Sequence, residues 1–218
     1  MFAELVEDLK KTGLQASPAD HCYAGPLKND KLVNPSKTAG FLKYSQELTL
    51  DPNTAHKNIL LTEGNRKATR IKRKQSYPDH PERFSRCCQV LSKESLTGRC
   101  YWEVEMRGEV LRVAVSYKNI SREGGSDECL FGFNSNSWSL LCGINSYTFY
   151  HNNNKIPVPG PVSSRIGVYL DHRAGILSFY SVSETMTLIH RVQTRFTQPL
   201  YAGFYIEDGS SVEFIKLK

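Results

Sequence analysis

Six cysteines, six histidines and one run of basic residues are the groups in this sequence that could carry chemistry, and their spacing limits what that chemistry can be. Zinc ligands usually come in close pairs such as Cys-x2-Cys, because two ligands from one turn can reach one ion. Cys22, Cys87, Cys88, Cys100, Cys129 and Cys142 contain no such pair. His21-Cys22 is an isolated neighbour pair, and Cys87-Cys88 would point to opposite faces of a strand. These residues read as thiols packed like small hydrophobes, and no metal is expected. Ser, His and Asp all occur, but no Gly-x-Ser-x-Gly elbow does. His80, held between Pro78 and Pro81, reads as a fixed loop contact rather than a base. His172, beside Asp171 and Arg173, reads as turn chemistry with a surface ion pair. Neither a phosphate-cradling Gly-x4-Gly-Lys-Ser/Thr nor a Gly-x-Gly-x2-Gly motif is present. The expectation is therefore no catalytic residue and no cofactor.

The net charge of +6 has a local origin. Arg66, Lys67, Arg70, Lys72, Arg73 and Lys74 fall within nine residues; without those six, 22 basic residues face 22 acidic ones. Such a run could contact phosphates or an acidic protein partner. It alternates with Ala68, Thr69 and Ile71 and is not interleaved with aromatics, as expected of a solvent-facing edge strand whose charges discourage further pairing. No nucleic-acid partner is expected. No run of about 18 apolar residues exists, so no membrane span is expected. The start, Met-Phe-Ala-Glu-Leu-Val-Glu-Asp-Leu-Lys, is too acidic and interrupted for a signal peptide. Scattered cysteines in a chain of 218 residues argue for reduced thiols rather than a secreted disulfide framework. A cytoplasmic location follows.

The elements that must position these groups are mostly short strands. Residues 166–182 read as a hairpin: Ile166, Val168 and Leu170 share one face, Leu177 and Phe179 share another, and Gly175 supplies the turn. Bulky residues on both faces suit a central hairpin inside a two-sheet sandwich. Further candidate strands are 67–72, 101–106, 111–116, 131–133, 137–142, 147–151, 165–170, 175–182, 188–192, 200–204 and 212–217. Turn signals such as Arg107-Gly108, Asn152-Asn153-Asn154 and Asp208-Gly209 separate them. Trp102 and Trp138, flanked by alternating apolar residues, read as core. Before these, residues 2–12 read as one short amphipathic helix and 14–45 as a Pro/Gly-punctuated linker. The fold class is all-β, a two-sheet antiparallel β-sandwich from residue 46 to 218 with a short N-terminal helix and linker over 1–45.

Three motifs occur in order: Leu50-Asp51-Pro52, Tyr101-Trp102-Glu103-Val104-Glu105 and Leu170-Asp171-His172-Arg173-Ala174-Gly175. Together they resemble the PRY-SPRY domain, whose patterns are LDP, WEVE and LDYEAG. Ser76–Phe84, Ser137-Trp138-Ser139-Leu140 and Gln198-Pro199-Leu200-Tyr201 are similar to the intervening text. The sequence departs from it at Cys87-Cys88 and at Met106, where related chains often carry Trp. Residues 2–26 resemble the segment between RING and B-box of fish tripartite-motif (TRIM) proteins, and 26–35 the text just after the first B-box ligands. The chain thus looks like a TRIM protein with its middle removed, without RING cysteines or a complete B-box.

The resemblance implies a concanavalin-like jelly roll whose loops at one rim bind a protein target, plausible in innate immune defence, with no catalysis by this chain. Tyr77, Arg107, Arg112, Leu141, Tyr147, Tyr205 and Ile206 fall near the usual binding groove by position, whereas Leu50, Asp51, Pro52, Trp102, Glu103, Leu170, Asp171 and Gly175 form the structural motifs. The alternatives are the substrate-recognition part of a TRIM-type ubiquitin ligase, weakly associated with full-length relatives, and the C-terminal domain of an immune receptor or toxin.

Overall fold

A computed structural model describes residues 32–33 and 40–217. The helix read over 2–12, Cys22 and most of the linker lie outside the described residues. Two antiparallel sheets stack face to face. The larger runs β1 (Leu32–Val33), β12 (Met186–Gln193), β11 (Ile176–Val182), β10 (Arg165–Asp171), β5 (Arg99–Arg107), β14 (Ser211–Phe214), β3 (Lys67–Arg70) and β2 (Ile59–Thr62). The smaller runs β4 (Gln89–Leu91), β13 (Leu200–Ile206), β6 (Leu111–Tyr117), β7 (Ser137–Cys142), β8 (Tyr147–His151) and β9 (Asn154–Val158). A four-residue helix, α1 (Ser126–Cys129), interrupts the β6–β7 connection.

Alternation builds the core. Successive strand residues point to opposite faces, so one set of alternate side chains from each sheet meets its counterpart. Cys100, Trp102 and Val104 of β5 enter the interior with Ile166, Val168 and Leu170 of β10 and Leu177 and Phe179 of β11. Val113 and Val115 of β6, Trp138 and Leu140 of β7, Phe149 of β8, and Ala202 and Phe204 of β13 complete it from the other sheet. The hairpin read from sequence occupies the middle of the larger sheet, with Val168 opposite both Phe179 and Trp102. The five described cysteines are free and buried.

Three sequence expectations change. Residues 131–133 form no strand: the Phe131 and Gly132 amides donate to Gln89 Oε1 and Ser137 Oγ, both at 2.8 Å, so side chains take the place of a ladder. Additional short strands form at 59–62, 89–91 and 154–158, and β2 covers β3, so the basic run is not the sheet edge. Its Arg70 pairs with Asp208 at 2.7 Å. The end of the linker is also docked. Phe41 lies 5.4, 4.9 and 5.5 Å from the rings of Tyr101, Tyr169 and Tyr180 on the outer face of the larger sheet. The Gln46 amide donates to Tyr101 O, and the Tyr101 amide to Tyr44 O, which extends the sheet beyond the reach of β14. Two aromatic side chains, rather than a periodic pattern, hold this segment.

The hairpin turn is fixed by Asp171. Its carboxylate accepts from the Ala174 amide at 3.0 Å and from Arg99 Nε at 2.8 Å. Burial pushes this carboxyl up, but those two donors outweigh it and hold it below the usual carboxylate range. His172 Nε2 meets Gln198 O at 2.8 Å, a turn contact. Gly175 sits at φ 71°, and an added Cβ would run into Thr194 O. Gly175→Ala is expected to lower stability by about 1–3 kcal/mol, read as a melting shift, because strain and collision act together. An unchanged melting temperature would contradict that geometry.

His190 packs its ring 4.1 Å from Phe149, and burial pushes its pKa down to about 4. Burial also lowers His56 and His151. Unfolded imidazoles take up protons near pH 6.5 while these stay neutral, so the unfolded state binds more protons. Stability therefore falls as pH drops from about 6.5 to about 4. Melting curves across that window are expected to flatten for His190→Gln relative to the parent; equal slopes would show that His190 is not held neutral.

Candidate functional site

The outer face of the smaller sheet carries two rows of side chains with different fates. One row runs Leu91, Gly203, Ala114, Ser139, Tyr150 and Lys155 across neighbouring strands. Its small residues admit a roof. Phe131 and Phe84 pack edge to face at 5.7 Å over Leu91 and Ala114. A Cβ on Gly203 would stand 2.8 Å from the Phe131 ring, and Ser139 Oγ donates to Phe131 O at 3.0 Å. The adjacent row runs Gln89, Tyr205, Arg112, Leu141, Thr148 and Pro157. Gln89 is buried beneath the loop it anchors, but Tyr205, Leu141 and Thr148 are half-exposed and Pro157 is exposed. This strip is open to solvent.

Arg112 is the anomaly in the strip. It is only 7% exposed, and its Nε and Nη1 are buried without a hydrogen-bond partner among the described residues. Its guanidinium carbon lies 4.4 Å from the Tyr150 ring centroid and 5.2 Å from that of Phe133, and these two rings stack on each other at 5.3 Å. Burial lowers its pKa, opposed by the charge of Tyr150 and a side-chain hydrogen bond with it, and then by Tyr205 and Glu207. Glu207 is already engaged: Tyr205 Oη donates to its Oε1 at 2.8 Å, and Arg70 Nη1 lies 3.7 Å from its Oε2. Burial, followed by that hydrogen bond, pushes the Tyr205 pKa up to about 12. The face thus holds one desolvated cation among aromatic and aliphatic surfaces. Such faces suit protein contacts, where aromatic and Arg anchors carry most of the energy.

Of the seven expected binding residues, Tyr205, Arg112 and Leu141 stand side by side on this strip. Tyr147 and Ile206 do not join them. Both point inward, 2% and 0% exposed, because they alternate with the outward Thr148 and Tyr205. The Tyr147 hydroxyl meets Pro161 O and the Ser163 amide, so it shapes the β9–β10 connection. Tyr77 is half-buried, and its hydroxyl bridges Ile59 O and the Leu61 amide, securing β2. Arg107 is exposed on the opposite side of the sandwich, in a depression of about 350 Å³ with Glu105, Arg165 and Glu213. The motif residues are structural: Leu50, Trp102 and Leu170 are core, Arg83 Nη1 donates to Pro52 O at 2.7 Å, and Glu103 accepts from the Tyr101 hydroxyl at 2.7 Å. Phe133, Tyr150 and Thr148, which the family pattern does not single out, also stand on or beside this strip. Alternation along 147–151, with Tyr147 and Phe149 inward, could have found the last two.

The SPRY-associated domain (PRY) family matches residues 48–96, and the SPRY domain family matches residues 99–218. The chain belongs to the SPRY domain family. Mouse tripartite motif-containing protein 16 is 39% identical over 169 residues, covering 76% of this chain and 30% of that protein. Stonustoxin subunit beta of Synanceia horrida is 41% identical over 170 residues, covering 76% of this chain and 24% of that protein. This SPRY chain therefore spans about a quarter to a third of the length of these curated relatives. The crystal structure of the TRIM65 PSpry domain superposes with a TM-score of 0.78 at 25% identity, covering 88% of this chain and all of that one. The stonustoxin structure superposes with a TM-score of 0.74 at 34% identity, over 79% of this chain and 29% of that one. The SPRY domain is a protein-interaction module, and the LDP and WEVE motifs fall in its PRY and SPRY parts respectively. Among the described residues no helix is long and apolar enough to cross a membrane.

Retaining a buried cation without an acidic partner costs stability unless ring contacts offset it. Arg112→Met is expected to leave the melting temperature of this SPRY domain unchanged or raised. A loss above about 2 kcal/mol would show that the ring contacts outweigh desolvation.

Proposed function

We propose that this chain is the recognition part of an intracellular, TRIM-like protein and captures a protein target on the strip formed by Tyr205, Arg112, Leu141 and Thr148. The observation that carries this reading is the half-roofed outer face of the smaller sheet. Phe84 and Phe131 cover one row, and the neighbouring row, with its buried Arg112, is left open. A rigid sandwich holds these side chains in place at little entropic cost to binding. The cytosol suits the buried free thiols, and innate immune defence is the role we infer from the resemblance to fish TRIM proteins. By the same resemblance, residues 1–45 correspond to a remnant of the RING-to-B-box region. Ubiquitin transfer, where it occurs, would come from full-length relatives joined to this chain.

A second reading rests on the fish toxins. Stonustoxin subunit beta, at 41% identity, is as similar to this chain as mouse tripartite motif-containing protein 16 at 39%, so on this reading the domain is one carried by a toxin subunit. The two readings differ in where the domain acts, not in how its surface would bind.

The test is affinity capture with quantified binding of whatever is retained. Arg112→Glu and Tyr205→Ala are each expected to weaken binding by roughly thirtyfold, the size of an interface hot spot. Arg107→Glu, on the far side of the sandwich, is expected to leave it unchanged. Loss with Arg107→Glu and retention with the other two would place recognition on the opposite sheet.

A further inference from the structure

We propose that the open strip recognises a linear protein segment through an aspartate or glutamate side chain, whose carboxylate pairs with the Arg112 guanidinium. This rests on the strip being the recognition face and adds the chemistry of what enters it.

Arg112 is more than nine-tenths buried and shares a side-chain hydrogen bond with Tyr150, yet its Nε and Nη1 find no hydrogen-bond partner among the described residues. A buried guanidinium is normally paired with a carboxylate, because an unmet charged donor keeps its full desolvation cost. No carboxylate lies within salt-bridge distance of it among the described residues. The nearest candidate by charge, Glu207, is held by Tyr205 and Arg70, and Asp208 is held by Arg70 at 2.7 Å. Both acids at the end of β13 are thus committed elsewhere, and a charge-assisted bond at Arg112 is left for a partner to make.

The surroundings select the partner's chemistry. Leu141, Thr148, Tyr150 and Phe133 supply apolar and aromatic surface beside the cation. Lys155, beside Tyr150 on β9, is exposed and adds positive charge at the edge. One buried guanidinium in an apolar strip matches one carboxylate flanked by apolar residues. A nucleic acid would need a row of phosphate contacts instead. Access requires one movement. Phe133 sits on a turn, half-buried, its ring against Tyr150 and Arg112 alone among the ring contacts of the described residues. Turning that ring aside would open one side of the guanidinium to an incoming carboxylate, with Tyr150 remaining against it at 4.4 Å.

Random linear peptides displayed on phage, selected against the full chain, test this. Selected peptides are expected to share one Asp or Glu flanked by apolar residues. Changing that acid to its amide is expected to weaken binding at least tenfold, the loss of a charge-assisted bond. The same peptide change is expected to have no effect against Arg112→Met, and only part of the effect to remain with Arg112→Lys, whose melting curve also reports folding. The acid-to-amide step is made on the peptide, so it reads out even where a protein variant is unstable. No enrichment, no shared acid, or an equal amide penalty with Arg112→Met overturns the proposal. Leu141→Arg separates it from the reading beneath it. Peptides that lack a shared acid but are lost with Leu141→Arg refute the carboxylate alone, and peptides that survive Leu141→Arg refute the strip as the recognition face.

Discussion

Each strand in the sandwich has a face turned to the other sheet, and this parity decides which side chains can reach a partner. Once Val113, Leu140, Phe149 and Phe204 are committed to the interior, Arg112, Leu141, Thr148 and Tyr205 must face outward, in register, on four adjacent strands. A slip of one residue would bring Tyr147 and Ile206 out and bury Arg112 in the core. The anomaly at Arg112 is therefore a consequence of the packing that holds the fold together. It lies on the far side of the strand from its apolar neighbours, against the rings of Tyr150 and Phe133.

The two outer faces are treated differently. On the larger sheet, Tyr101, Tyr169 and Tyr180 would form an exposed aromatic patch, and Phe41 and Tyr44 cover it. On the smaller sheet the loop carrying Phe131 roofs half of the face, tied down by Gln89, whose amide donates to Cys129 O and whose oxygen accepts from the Phe131 amide. One buried glutamine thus anchors the loop that borders the open strip. The Arg107 side lacks such framing; it is a shallow, strongly charged depression where Arg165 pairs with Glu105 at 3.2 Å.

Much of this was legible in the residues. Ser-Trp-Ser-Leu-Leu-Cys over 137–142 and the hairpin at 166–182 show their strands directly, and the Asp171–Gly175 turn carries its own chemistry. What was not legible depended on distant partners. Gln89–Leu91 is too short to show a period and is buried on both faces, one against the core and one under Phe131. Asn154–Val158 is polar, contains Pro157 and survives as an edge strand. Phe41 and Tyr44 gain meaning only from tyrosines far along the chain. The inward turn of Tyr147 and Ile206 was available from alternation, but position in a family pattern pointed the other way.

The central claim is that recognition occurs on the strip at Arg112, beside the roofed half of the smaller sheet. Side-chain footprinting by hydroxyl radicals, with and without bound target, addresses it residue by residue. Leu141, Tyr205, Tyr150 and Phe133 are expected to be labelled in the free chain and protected in the complex, with Tyr169 and Met106 of the larger sheet unchanged. Protection confined to the larger sheet, or unaltered labelling of Leu141 and Tyr205 on binding, would contradict the account.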